Sequence, residues 1–368
     1  MKKVRHVMGI SGGKDSGALA IYLFDKYPRL DIEYYFTDTG KELQETYDLI
    51  RGIEVYTGKI VARIEAAPNS HEDPFDHFLN LFGGFLPGSN ARWCTKKLKL
   101  EPFEKWVGED PVISYVGIRG DENREGYIST KSNIQSIFPF RKNIWSEDVT
   151  RKLLKNTNIP NVLNSYVKFA SIDKLSRIKD VVNEHISENH NLAEKLNTLL
   201  DIDTEAFNQV VFDFLKTTDY PLSNATDFEL LDNEDNLVRD DIFKILRESG
   251  VGVPGYYEKV EYEVNGEKGE YARSRSGCFF CFFQQKIEWI WLYEQHPEKF
   301  ALAIEYEKDG YTWMQDESLQ DIIKPARMTQ IKEDNIKRTQ RVAQNKKSPY
   351  LIDLLEDAEE EGCASCFI

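Results

Sequence analysis

"VRHVMGISGGKDSGALAIYLFDKY", residues Val4–Tyr27, sets a short apolar run, a glycine-rich loop and a helical pattern end to end. The run to Ile10 has the length and composition of a buried strand, and Gly12 and Gly13 interrupt it. Beyond the loop, Ala18, Leu19, Tyr22 and Leu23 fall on or near one helical face. A strand feeding a helix through a tight loop is the first unit of an α/β fold.

The alternation continues. "IEYYFTDT" (32–39), "KIVARIEA" (59–66) and "PVISYVGIRG" (111–120) read as further strands, and "KELQETYDLIRGIEVYTG" (41–58) reads as a helix. The rhythm predicts an open parallel sheet with helices on both faces. From residue 144 to 232 the chain is polar, poor in glycine and helical in period, which predicts a helical insertion. Residues 1–143 and 233–330 then form the main domain, and 331–368 a charged tail. "KVEYEVNGEKGEYARSR" (259–275) alternates around Asn-Gly, a hairpin signal, and delivers the chain to Cys278. "QQKIEWIWLYEQHPEKF" (284–300) reads as one helix, with Trp289, Trp291 and Tyr293 as packing residues.

The 368 residues carry 41% hydrophobic side chains and a formal charge of −15. That is a packed globular composition, and the acidity argues against broad non-specific nucleic-acid binding. "ARWCTKKLKLEPFEK" (91–105) is a local cationic island. No apolar run approaches membrane-spanning length, and the first residues lack a secretory leader's pattern. These features predict a cytoplasmic protein whose five cysteines serve as ligands or reactive thiols rather than disulfides.

Ser11–Gly17, "SGGKDSG", has the parts of an anion cradle. Gly12 and Gly13 let the backbone turn sharply, the helix N-terminus points at the same place, and Ser11, Ser16 and Lys14 add donors and charge. The spacing is neither the Walker pattern nor the dinucleotide fingerprint. Asp38, Thr39 and Gly40 follow the second strand; Gly117, Arg119 and Asp121 follow the fourth. Ligands of open α/β sheets sit at that edge. Asp38 suits Mg²⁺ or a ribose hydroxyl, or equally a helix N-cap, and Asp15 has the same ambiguity. Arg119 suits a bidentate grip on phosphate. Arg92, Lys96, Lys97 and Lys99 surround Cys94, which predicts a thiol of lowered pKa.

These stretches together resemble the PP-loop nucleotide hydrolases (N-type ATP pyrophosphatases), and within them the phosphoadenosine phosphosulfate (PAPS) reductase branch. "SGGKDSG", "FTDTGKELQETYDLI", "ARWCTKKLKLEP", "VGIRGDENREGY" and "DDIFKILRESGVGVPGYY" through "GCFFCFFQQKIEW" carry the likeness. It implies an adenine nucleotide alpha hydrolase-like, Rossmann-like fold. It also implies that Ser11, Gly12, Gly13, Lys14, Asp15, Ser16, Asp38, Thr39, Gly117 and Arg119 hold ATP, with Mg²⁺ on Asp38. Lys14, Asp38, Lys96 and Arg119 would be the catalytic set.

Cys94, Cys278 and Cys281 are far apart in sequence, but the resemblance implies that their segments surround one nucleotide pocket. Three thiolates suit a [4Fe–4S] cluster, with Cys363 or Cys366 of "EGCASCFI" as a possible fourth ligand. A Cys₄ zinc site built from the two Cys-x-x-Cys pairs is the alternative. DndC-like DNA phosphorothioation proteins combine a phosphate loop with cluster cysteines and resemble the chain better than the reductases do. The reductases' Glu-Cys-Gly-Leu-His segment has no counterpart in "GCASCFI". The resemblance implies ATP cleavage to AMP and pyrophosphate, adenylation of an acceptor and sulfur insertion, as in DNA phosphorothioation or phage defence. A cysteine desulfurase is then the expected partner, with nucleic acid reached through a larger assembly. A thiol-dependent sulfonucleotide reductase and a catalytically silent nucleotide-binding subunit are the other readings.

Overall fold

Alternation of apolar side chains along the strands decides how the layers stack. In the computed structural model, which describes residues 3–122, 129, 131–187, 191–308 and 310–345, five parallel strands form one sheet. They are β1 (Arg5–Gly9), β2 (Ile32–Asp38), β3 (Val61–Glu65), β4 (Val112–Tyr115) and β5 (Ile134–Ile137), in the order β3-β2-β1-β4-β5. Met8, Tyr34, Phe36, Ile113 and Tyr115 turn to one face and Val7, Tyr35, Val112 and Ile134 to the other. The period of two makes each strand feed two cores.

Helices α1 (Lys14–Lys26) and α2 (Gln44–Thr57) cover the first face. After α3 (Pro74–Leu81), α4 (Glu101–Val107) covers the second through Phe103 and Val107. The parallel sheet with helices on both faces is therefore as expected. Strand β5 goes beyond the expectation: "IQSI" is fully buried, and its two polar side chains hide the apolar run by which a buried strand is read.

The predicted insertion is helical, with α5 (Glu147–Leu153), α6 (Ile159–Phe169), α7 (Ile172–Asn183), α8 (Leu192–Ile202) and α9 (Thr204–Leu215). It is not a body apart. Trp145, Val149, Phe207 and Val210 share one continuous core with Leu19, Ile113 and Tyr115 of the sheet layer. Asn233 closes this layer, with its side chain accepting from the Tyr22 and Tyr27 hydroxyls at 2.8 and 3.0 Å and donating to Pro139 O.

Helix α10 (Arg239–Glu248) packs on α1 and ends before Gly250 at φ 78°. The hairpin β6 (Val260–Val264) and β7 (Glu267–Tyr271) turns at Asn265 and Gly266, both at positive φ, as Asn-Gly predicts. The stretch read as one helix is two, α11 (Lys286–Gln295) and α12 (Pro297–Tyr306). Pro297 cannot donate into a continuing helix and starts a new one instead. After α13 (Leu319–Ile322), α14 (Pro325–Asn345) runs across the expected boundary at residue 331. Ile331 and Ile336 are buried there, and Asn335 donates to Tyr262 Oη and Glu270 O. The start of the expected tail is thus packed on the hairpin. Trp289 and Trp291 are buried in this second core, as expected.

Candidate functional site

The register brings Gly9, Asp38 and Tyr115 to one edge of the sheet. Strand β1 has β2 on one side and β4 on the other, so the chain order reverses between β1 and β4. This is the switch-point crevice of an open parallel sheet. The loops after β1 and β4 meet there.

Ser11–Gly13 pass from β1 into α1. Gly12 takes φ +72°, and a Cβ on it would lie 2.2 Å from Thr46 Cγ2; one on Gly13 would lie 2.4 Å from Ser276 Oγ. The two glycines therefore serve close approach from both sides. Ser16 ties the loop, its hydroxyl donating to Gly13 O at 3.1 Å and accepting from Ser11 N at 3.1 Å. Gly117 lets the β4 loop approach the Asp15 carbonyl, 3.0 Å from a hypothetical Cβ. Arg119 is buried, with Nη1 at 2.9 Å from Asp15 Oδ1 and 3.1 Å from Glu122 Oε1, and Nε at 2.8 Å from Asp121 Oδ1. The Lys14 ammonium is 3.2 Å from Asp15 Oδ2 and stands 4.8 Å over the Tyr257 ring. Loop, lysine and arginine form one cluster.

A second cluster follows β2. Asp38 is fully buried, and its Oδ1 accepts from Gly40 N at 2.7 Å and Tyr47 Oη at 3.1 Å. Arg63 Nη2 lies 2.7 Å from Asp38 Oδ2 as an ion pair without hydrogen-bond alignment. Asp38 does not cap α2, whose N-cap is Leu43. Glu42 accepts from Thr39 Oγ1 at 2.7 Å and Lys41 N at 3.1 Å. Burial, then the neighbouring Asp38 charge, pushes its carboxyl up to about 7.

This has a consequence for stability. The folded state retains a proton on Glu42 that the unfolded chain releases in the ordinary carboxyl range. The contribution of this group is therefore full at acid pH and declines as pH rises toward 7. Glu42→Gln mimics the protonated form. It is expected to raise stability at pH 8 by on the order of 1–3 kcal/mol and to change little at pH 4. Thermal melts of both proteins across that range check it, and an equal shift at both ends would contradict the buried-acid account.

The cysteine loop is laid against this cluster. Phe279 N donates to Lys41 O at 2.9 Å, Cys278 bridges to Glu42, and Cys278 Sγ is 3.2 Å from Thr39 Oγ1. Cys94 arrives from the other side, just before a π-helical turn at Thr95–Leu100, a rare geometry frequent at functional sites. Cys94, Cys278 and Cys281 line one small cavity of about 50 Å³, with Thr39, Lys99 and Ser276. The three predicted thiols are thus brought together. All three are free cysteines.

The lowered Cys94 pKa is not found. Burial outweighs the lysines and raises the thiol to about 11, helped by Cys281, and burial raises Cys278 further. Of the surrounding lysines, Lys99 is the one whose charge opposes this at both thiols. Lys96 is exposed, absent from the cavity lining and joined by no described contact to the glycine loop; Lys97 pairs with Glu101. Cys363 and Cys366 lie outside the described residues.

The donor set can be tested against each inorganic group. A single zinc ion needs thiolates about 2.3 Å from one centre; among the described residues no group of three or more His, Cys, Asp or Glu stands ready to hold a metal ion of any kind. A cluster spreads its thiolates over different irons. Three thiols from two segments line one apolar cavity, a donor set that either group would use.

Sequence reading missed Tyr256, Tyr257, Arg273 and Ser276. Tyr256 Oη donates to Gly12 O at 2.7 Å, and Lys14 N donates to Tyr257 Oη at 3.5 Å. Ser276 touches Gly13 and also lines the cysteine cavity. It joins the two halves of the site. No signal beyond its place before Gly277-Cys278 marks it.

No family model matches the chain. It is 32% identical over 145 residues to the uncharacterized protein MJ0066 of Methanocaldococcus jannaschii, covering 36% of this chain and 28% of that protein. It is 26% identical over 144 residues to an uncharacterized nin region protein, ORF290, of Escherichia phage lambda, covering 32% of this chain and 49% of that one. The chain therefore spans less than half the length of each of these relatives. No helix among the described residues is long and apolar enough to cross a membrane.

Proposed function

We propose that this protein is an ATP pyrophosphatase that activates an acceptor for sulfur insertion. The observation that carries the reading is the contact between a glycine loop at the sheet's switch point and a cavity lined by three cysteines, with Ser276 common to both. An anion cradle beside gathered thiols suits a reaction that uses a phosphoanhydride and then sulfur.

Amides of the first turn of α1 would hold the β- and γ-phosphates, with Lys14 as the adjacent cation. Asp38 would be the carboxylate for Mg²⁺, which would neutralise the leaving pyrophosphate. An acceptor oxygen attacks the α-phosphorus and pyrophosphate leaves; the outer sulfur of a persulfide then attacks the adenylated atom and displaces AMP, and a thiol reductant supplies the two electrons that cleave the resulting S–S bond and leave the sulfur on the acceptor. Arg119 braces Asp15 under the loop. Cys94, Cys278 and Cys281 would hold a [4Fe–4S] cluster, which supplies an open iron for sulfur. A cysteine desulfurase would provide the sulfur, and a nucleic acid presented by a larger assembly would be the acceptor. Free thiols fit a reducing cytoplasmic setting.

The test is anaerobic purification of wild type and Cys278→Ser, with iron, sulfide and zinc quantitation and pyrophosphate release from ATP. About four irons per chain, reduced at least several-fold in Cys278→Ser, together with reductant-independent pyrophosphate release, is the expected result. A metal-free protein that consumes a sulfonucleotide only with thiol reductant would replace this reading with the reductase.

A further inference from the structure

Arg273 is the buried cation that the site so far leaves unexplained. It is 2% exposed. Its Nη2 donates to Cys278 O at 2.9 Å, while Nε and Nη1, both buried, have no hydrogen-bond partner. No carboxylate among the described residues forms an ion pair with it, whereas Lys14 and Arg119 both pair with Asp15. Arginine does not escape this cost by losing its proton. An ion held in a protein interior without a counter-ion costs several kcal/mol, and a fold that keeps one offsets that cost when an anion arrives.

The surroundings identify the anion. The Arg273 backbone N–H donates to Tyr256 O at 2.8 Å, and its guanidinium carbon is 5.7 Å from the Tyr256 ring centre. Tyr256 reaches Gly12 O, and Tyr257 reaches Lys14 N, so the tyrosine beside Arg273 and its chain neighbour both contact the glycine loop. The Arg273 charge opposes the upward push of burial on both tyrosine hydroxyls. On the cysteine side it meets a main-chain carbonyl, and the cation acting on the thiols is Lys99. The empty donors therefore belong with the α1 N-terminus and its loop.

We propose that Arg273 is a ligand for phosphoryl oxygens, seated under the Ser11–Ser16 loop between it and the cysteine loop. This rests on the reading that the loop holds a nucleotide's phosphates. A planar guanidinium with donors to spare matches two oxygens of one phosphoryl group. The same residue, through Cys278 O, ties phosphate occupancy to the position of the cysteine loop.

Calorimetric titration of the full chain with ATP, inorganic pyrophosphate and adenosine tests it, on wild type, Arg273→Met and Arg273→Lys. Arg273→Met is expected to bind ATP and pyrophosphate about 10- to 100-fold more weakly and adenosine unchanged. Its melting temperature without ligand should be equal or higher, because an unpaired buried ion is gone. Arg273→Lys should keep the charge, lose the fork and fall between the two. Wild-type affinity for pyrophosphate in both variants would overturn the inference and leave the nucleotide reading standing. Failure of the wild type to bind either ATP or pyrophosphate would overturn both. A melting temperature lowered in Arg273→Met, with wild-type binding in Arg273→Lys, would make the residue structural.

Discussion

Arg119→Ala is expected to lower the stability of the folded protein by about 3–5 kcal/mol and to abolish pyrophosphate release from ATP. The stability loss comes from what remains behind. Asp15 is buried at the start of α1, with Arg119 at 2.9 Å and Lys14 at 3.2 Å as its described counter-ions. Removing the arginine leaves buried Asp15 with Lys14 as its described counter-ion and takes one cationic contact each from Asp121 and Glu122. Arg119→Lys retains the charge without the fork that meets three carboxylates, and should recover part of the loss. Denaturant melts at fixed pH measure the first effect, and coupled pyrophosphate detection measures the second. A melt midpoint unchanged in Arg119→Ala would mean that the ion cluster is not formed as described.

Gly12→Ala should leave the chain folded and its ATP turnover at least about 100-fold lower, the scale of losing preorganised oxyanion donors. Two causes act together. The backbone at φ +72° disfavours any side chain by roughly 1–2 kcal/mol. The added methyl would also meet Thr46, whose Cγ2, Cβ and Cα lie 2.2, 3.0 and 3.3 Å away. Thr46 is fully buried in α2 and cannot swing out, so the loop must move instead. Moving it re-aims the amides that the proposed reaction depends on. Gly58 is the control: it has positive φ and nothing within 4 Å of a Cβ, so Gly58→Ala should cost the backbone strain alone and leave turnover intact. Equal turnover in Gly12→Ala and wild type would remove the loop from the catalytic site.

The elements most legible from the residues are those with a period or a punctuating turn. The strand-loop-helix at Val4–Tyr27, the Asn-Gly hairpin and the helical insertion are in this group, because local sterics and one-sided burial act over a few residues. Strand β5 was not legible, since "IQSI" becomes a strand by pairing with β4 and not by its own pattern. The break at Pro297 is legible in the residues, because proline cannot donate into a continuing helix.

Within the site, local motifs marked Ser11–Ser16, Asp38, Arg119 and the three cysteines as candidates. Three outcomes depended on residues distant in the chain. Lys99 and not Lys96 reaches the thiols, because the π-helical turn after Cys94 sets which lysine faces inward. The thiols are raised and not lowered in pKa, because burial among Phe75, Phe280 and Leu98 outweighs nearby cations. Tyr256, Tyr257 and Ser276 join the glycine loop across more than 240 residues, and no local pattern encodes that distance. The sequence by itself determined the sheet-and-helix order and the inventory of chemical groups, since both follow from short-range propensity and residue type. Which of those groups are charged, paired or left unpaired was decided by tertiary packing alone, because burial and counter-ion distance are properties of the folded chain.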